Sequence, residues 1–205
     1  MSTKEQTVGT YNAQAAALAK EFNDTGARTQ DMEKAFGFFP SAGDLRVLEI
    51  GCGNGRDAAE IVKHTAHYIG MDIAEELLKI ARTNMPTATF VLGDIETYAF
   101  PATLDVIFAF ASLLHSPQEQ VLDVLRHAHA ALVDGGIFYI SLKEGEYREH
   151  TKHEAYGPRT FYYYTPQLIE ELAGKGYETV LTERQHLRNQ DWFTIALRKK
   201  LLVSN

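Results

Sequence analysis

From residue 46 onward, short runs of β-branched and aromatic residues alternate with stretches whose apolar residues recur at helical spacing. That alternation predicts a parallel sheet with helices on both faces. The strands fall at Arg46–Gly51, His67–Asp72, Thr89–Asp94, Leu104–Phe110 and Ile137–Lys143. The clearest helix runs from Ser116 to Leu132 and gathers Val121, Leu122, Leu125, Ala128 and Leu132 on one face. Its start reads as a capping box, with Ser116 as N-cap, Pro117 at the first helical position and Glu119 three residues after the cap. Asp134-Gly135-Gly136 then breaks the helix and turns the chain into the fifth strand. Thr165-Pro166 opens a further helix carrying Leu168, Ile169 and Leu172, and Gly174 and Gly176 close it. Two last strands follow near Glu178–Leu187 and Trp192–Arg198. The link between them, Arg188 to Asp191, is too short for a parallel crossover, so they pair as an antiparallel hairpin.

The expected fold is therefore α/β, a doubly wound seven-stranded sheet of five parallel strands plus a C-terminal antiparallel hairpin. Residues 1–45 do not follow the alternation and read as a helical cap over one end of the sheet, anchored by Phe36, Phe38 and Phe39. The stretch 143–163 is long and polar, with Lys143, Arg148, Lys152 and Arg159 balanced by Glu144, Glu146, Glu149 and Glu154, and reads as a structured loop.

Length and charge narrow the possibilities. A chain of 205 residues suits one domain, 1–205, with some elaboration. Its 20 Lys and Arg against 27 Asp and Glu lack the basic excess of a nucleic-acid binder. Cys52 is the single cysteine, which fits a reducing cytoplasm and excludes a disulfide scaffold within the chain; it reads as a small buried residue. Residues 1–20 lack the pattern of a secretory signal, and the longest uncharged apolar stretch, Val106–Leu114, is far shorter than the roughly 20 residues that span a bilayer. A soluble protein that does not engage membranes is expected. His127 and His129 lie two apart on a helix and so point apart, and His150 and His153 have no strong third ligand, so no metal site is expected.

In open α/β sheets ligands bind beyond the carboxyl ends of the strands. The first strand runs on into Gly51-Cys52-Gly53-Asn54-Gly55-Arg56-Asp57, the second ends at Asp72, and the third ends in Gly93-Asp94-Ile95. A glycine-rich turn lets backbone approach a ligand and aims free N–H groups at it. Arg56 stands where the dinucleotide fingerprint needs its third glycine, which demotes nicotinamide and flavin cofactors. Asp72, 21 residues after Gly51, is placed to accept both hydroxyls of a ribose. Asp72 and Asp94 also suit helix capping, and the two roles can coexist.

The glycine turn, the acidic end of strand two and Gly93-Asp94-Ile95 together resemble the class I S-adenosylmethionine-dependent methyltransferases, over about Asp44–Arg198. The resemblance implies S-adenosyl-L-methionine as cofactor. Gly51 and Gly53 would line its methionine moiety and Glu49 would support the loop near its amino group. Asp72 with Ile73 would hold the ribose, Asp94 with Ile95 would meet the adenine, and Phe110 would line the same site. Tyr11 is placed as in relatives where an early tyrosine closes over the methionine carboxylate.

The acceptor would lie at the exit of the fourth strand, Phe108 to His115, which lacks the Asn/Asp-Pro-Pro-Tyr/Phe signature of adenine and glutamine methylation. His115 is either a general base or a hydrogen-bonding loop residue. Ser112-Leu113-Leu114-His115, Ser141 to Gly145 and Arg159 to Tyr162 resemble a subgroup of stand-alone bacterial methyltransferases in which the segment after strand five folds over the acceptor. Lys143, Arg148, Arg159 and Tyr162 are then candidate substrate contacts, the cations suiting a carboxylate or phosphate; a solvated charged loop is the competing reading. The expected activity is methyl transfer to a small-molecule acceptor. A non-catalytic S-adenosylmethionine-binding regulator is the alternative, and an NAD-dependent oxidoreductase a weaker one. The oligomeric state is not specified.

Overall fold

The computed structural model describes residues 2–41 and 44–201. Met1, Ala42, Gly43 and residues 202–205, which the expected cap and domain spans include, lie outside the described residues. Seven strands form one sheet in the order β3-β2-β1-β4-β5-β9-β8. β1 (Arg46–Ile50), β2 (His67–Asp72), β3 (Thr89–Leu92), β4 (Leu104–Phe110) and β5 (Leu132–Lys143) run parallel. β9 (Gln190–Lys199) is antiparallel to both β5 and β8 (Tyr177–Leu187). This is the seven-stranded α/β sheet that the alternation predicts, and the winding reverses at β1, between β2 and β4.

Successive strand residues point to opposite faces, and here both faces are covered, so the inner strands are predominantly apolar on both sides. Leu48, Ile107, Ala109, Phe138 and Ile140 pack on one side with α6 (Gln118–Ala131) and α7 (Pro166–Ala173). Val47, Val106, Phe108, Ile137 and Tyr139 pack on the other with α3 (Thr29–Phe36), the short α4 (Ala58–Ile61) and α5 (Glu75–Asn84). Of the expected aromatic anchor, Phe36 is buried, while Phe38 and Phe39 pack half-buried at the rim. Among the described residues no helix is long and apolar enough to cross a membrane.

Local departures from the sequence reading have physical causes. α6 starts at Gln118 with Pro117 as a cap that makes no side-chain bond, so the expected capping box at Ser116 does not form; the Ser116 carbonyl instead accepts from Tyr164 Oη at 2.6 Å. Its buried stripe takes in Val124 and Ala131, and Leu122 is only half-buried. Asp134-Gly135-Gly136 sits inside β5 at a register shift opposite Leu104–Val106, where Gly135 adopts φ +79°. The β8–β9 turn is tighter than expected, with Arg188 and Asn189 both left-handed.

The largest departure is the polar stretch 143–163. It is a two-stranded antiparallel hairpin, β6 (Arg148–Glu154) with β7 (Gly157–Tyr163), standing off the main sheet. β6 reads Arg-Glu-His-Thr-Lys-His-Glu and carries no apolar residue, so hydrophobic alternation cannot reveal it. β7 docks on α1 (Thr3–Ala13), where Thr160 N–H donates to Thr7 Oγ1 at 3.0 Å and Thr10 Oγ1 donates to the Pro158 carbonyl at 2.8 Å.

Candidate functional site

Beyond the carboxyl ends of β1, β2, β4 and β5 lies a cavity of about 540 Å³, covered by α1, α2 (Ala15–Thr25) and the β6–β7 hairpin. This is the size and position at which α/β sheets hold small ligands.

One end is built on the glycine turn. Gly51 adopts φ +75°, and a Cβ there would collide with the Ser112 side chain, so glycine is what lets the turn lie against the exit of β4. Asp72 holds the turn's shape: its Oδ2 accepts from Gly53 N–H and its Oδ1 from Ala74 N–H, both at 2.8 Å. Burial raises its pKa, while the N–H groups of Ala74, Gly53 and Ile73 oppose the rise. Asp94 pairs with Lys4 at 2.6 Å and accepts from Glu96 N–H at 3.1 Å. Asn54 ties the turn to α2 through Asn23 Oδ1 at 2.8 Å. The Arg28 guanidinium lies 5.3 Å from the Phe110 ring centre.

The other end is built from segments far apart in the chain. His115, in a 3₁₀ turn after β4, places Nδ1 2.6 Å from the Thr160 carbonyl and Nε2 2.8 Å from Tyr11 Oη. A carbonyl only accepts, so Nδ1 carries the proton and Nε2 accepts from the tyrosine. Burial lowers the His115 pKa to about 4, and the nearby Arg159 and Lys143 add to the effect. Arg159 Nη1 donates to Tyr11 Oη at 3.4 Å, and its Nη2 pairs with Glu154. Lys143 is 8% exposed, with Nζ 3.7 Å from the Phe161 ring centre. Burial, then the charges of Lys152 and Arg159, lower its pKa to about 8.

Tyr11, Gly51, Gly53, Asp72 and Ile73 line this one cavity, as do Asp94, Ile95 and Phe110. His115, Lys143 and Arg159 line it too. Glu49 does not: it is buried behind the turn, receives a hydrogen bond from Tyr68, and has its pKa raised by burial and by Asp57. Arg148 and Tyr162 also lie outside the lining. Strand alternation explains Tyr162, which points away from Arg159 and Phe161 and donates to Glu149 at 2.9 Å. Arg148 is four residues along β6 from Lys152, on the order of 13 Å, and its guanidinium lies 3.9 Å from the Tyr163 ring centre.

Lys4, Ser112, Lys152, Phe161 and Trp192 also line the cavity, beyond the residues that the sequence marks as candidate cofactor or substrate contacts. Lys152 carries no signal in the sequence, because its place directly opposite Arg159 is set by the hairpin register; like charges facing one another across strands are unfavourable without a counterion.

Residues 47–136 match a family model described as a methyltransferase domain. A trans-aconitate 2-methyltransferase from Variovorax paradoxus is 31% identical over 140 residues, 67% of this chain and 52% of the relative. The chain spans about half or less of the length of the first curated relatives it matches. Among solved structures, Burkholderia thailandensis 1,6-didemethyltoxoflavin-N1-methyltransferase, with 1,6-didemethyltoxoflavin and S-adenosylhomocysteine bound, aligns with a TM-score of 0.76 at 18% identity, covering 95% of this chain and 87% of that one. An S-adenosylmethionine-dependent methyltransferase from Mesorhizobium loti aligns with a TM-score of 0.66 at 20% identity, covering 81% and 96%. At these identities the solved structures show a shared fold. With the matching domain over residues 47–136 and the strand-end motifs in their expected order, this region is similar to the S-adenosylmethionine-dependent methyltransferases, and the whole chain shares their fold.

Proposed function

We propose that this chain transfers a methyl group from S-adenosylmethionine to a small-molecule acceptor. The observation that carries the reading is a single cavity with the Asp72-braced glycine turn at one end and the His115–Tyr11 pair at the other. The residues suit the cofactor. Gly51 leaves a close-approach cradle, and Asp72 keeps lone pairs beyond its two backbone bonds for ribose hydroxyls. Ser112 Oγ is buried on the cavity wall without a hydrogen-bond partner among the described residues. When bound against the Gly51 turn and Asp72, the cofactor would supply an electrophilic methyl on a cationic sulfur, with a neutral thioether as the leaving group.

The chain's own residues hold the reactants and move a proton. Positioning in a drained pocket accounts for most of the acceleration. An O–H or N–H acceptor gives its proton to Tyr11 Oη as the tyrosine's own proton passes to His115 Nε2. The Thr160 carbonyl keeps His115 in the tautomer that leaves Nε2 free to receive it. The relatives' named acceptors, trans-aconitate and 1,6-didemethyltoxoflavin, are small molecules and support that class here. The buried thiol of Cys52 suits a reducing, cytoplasmic setting.

Calorimetry tests the cofactor and labelled-methyl transfer to a metabolite pool tests the chemistry. S-adenosylhomocysteine should bind and NAD should not. Failure of S-adenosylhomocysteine to bind overturns the proposal, and binding without transfer to any acceptor converts the protein into a regulator.

A further inference from the structure

The chain carries a net charge of −7, yet its cavity is lined by seven Lys and Arg against five Asp and Glu. The excess is concentrated at one end. Lys4 is paired with Asp94, Arg56 with Asp57, Arg28 with Asp31 and Arg188 with Glu21. Around Phe161 the pairing is incomplete: Lys143 Nζ, Lys152 Nζ and Arg159 Cζ lie 3.7, 5.6 and 5.5 Å from the same ring centre. Of the carboxylates that line the cavity, Glu154 is the one ion-paired to this group among the described residues, through Arg159. Lys143 and Lys152 form no ion pair among the described residues, and Arg159 Nε is buried with no hydrogen-bond partner among them.

Three features make this a built arrangement. Lys143 is more than nine-tenths buried on the cavity wall, where a hydrated surface lysine would not be. Its cross-strand partner is Trp192, which lines the same wall. Lys152 and Arg159 face each other across the hairpin. Gathering three cations in a part-buried space opposes folding through mutual repulsion and desolvation, and the two π faces offset only a fraction of that. A group that costs stability unliganded and lines a binding cavity is best accounted for by the ligand that completes it.

We infer that the methyl acceptor is a small oxyanion, a carboxylate or a phosphate monoester, whose negative group seats on Lys143, Lys152 and Arg159 beside Phe161. The inference rests on the proposed methyl transfer and names its substrate class. Arg159 also touches Tyr11, so the anion that engages it is drawn to the His115–Tyr11 pair.

The test is a panel of small mono-, di- and tricarboxylates and phosphate monoesters, each beside its neutral amide or alcohol. It is read as labelled-methyl transfer from S-adenosylmethionine or as inhibition of transfer, with S-adenosylhomocysteine affinity measured in parallel. Response confined to oxyanions, with Lys143→Met and Lys152→Met each raising the KM or inhibition constant at least about tenfold and S-adenosylhomocysteine affinity held within twofold, supports the assignment. The carboxylate and phosphate arms separate the two sources of the anion. Lys63→Met, on an exposed lysine paired with Glu60, is the surface control. Transfer favouring neutral or cationic acceptors, no response to any oxyanion, or an oxyanion response untouched by both substitutions overturns it. Loss of S-adenosylhomocysteine binding by the unmodified protein would instead remove the underlying reading. Thermal unfolding gives a separate readout: unliganded Lys143→Met should melt several degrees higher because a buried repulsive charge is gone, whereas a lysine that braces the fold would melt lower.

Discussion

At the glycine-turn end of the cavity each carboxylate already has its donors, Asp72 from two backbone N–H groups and Asp94 from Lys4 and Glu96 N–H. At the hairpin end the cations outnumber their partners, with Lys143 and Lys152 unpaired among the described residues and Arg159 half-satisfied. The first end is framed by backbone and by residues at three successive strand ends, with Lys4 reaching in from α1. The second brings Tyr11, His115, Lys143 and Arg159 from four separate segments. A preorganised, charge-satisfied half suits a ligand shared by a whole family, and a half left electrically incomplete suits the partner that distinguishes one member.

Substitutions should separate the halves. The largest effect is expected at His115: His115→Gln should lower kcat by roughly 100- to 10,000-fold and leave S-adenosylhomocysteine affinity unchanged, as single-turnover kinetics beside calorimetry will show. Because burial holds the ring's pKa at about 4, its base form dominates down to about pH 5, so the wild-type rate should persist there and fail only towards pH 4. A fall centred near pH 6.5 would place His115 outside the proton path.

Asp72→Ala should act in the opposite sense, weakening S-adenosylhomocysteine by about 1.5–3 kcal/mol through loss of a charged hydrogen-bond acceptor. Equal losses from both variants in both assays would erase the distinction between the ends. Gly51→Ala should destabilise the fold by about 1–3 kcal/mol from its φ of +75° alone, with the contact against Ser112 adding to it, as denaturant titration will measure.

Lys143 sharpens the comparison through pH. Its ammonium, lowered to about 8 by burial with Lys152 and Arg159 alongside and Glu154 opposing, is charged below that value and neutral above it. Acceptor kcat/KM should therefore fall as pH rises through about 8 while S-adenosylhomocysteine affinity holds. The smallest effect is expected at the cavity mouth, where Arg188 links the β8–β9 turn to Glu21 at 3.0 Å and Thr25 at 3.1 Å. This pair is exposed, so Arg188→Ala should cost no more than about 1 kcal/mol in thermal unfolding.

The glycine turn, Asp72 and Asp94 are legible because each sits where a strand ends: β1 and β2 are buried on both faces and show as short apolar runs, and the edge strand β3 still shows as the β-prone run Thr-Phe-Val-Leu. Tyr162 was misplaced because the side on which a β7 residue falls depends on where that strand begins, which a stretch without apolar alternation does not disclose. The Ser116 capping box does not form because the Ser116 N–H already donates to the Leu113 carbonyl and the helix starts at Gln118 with Pro117 as its cap.

The sequence by itself determined the succession of the seven main-sheet strands, the turn at Gly51 and the carboxylates at the ends of the next two strands, since these depend on periodicity and local backbone sterics. Only the tertiary structure decided that the polar stretch 143–163 is a hairpin, that Tyr11 and His115 are hydrogen-bonded, and that Lys143, Lys152 and Arg159 surround one phenyl ring. Those outcomes turn on distances between segments remote in the chain, where a charge's meaning is set by which partner lies nearest to it.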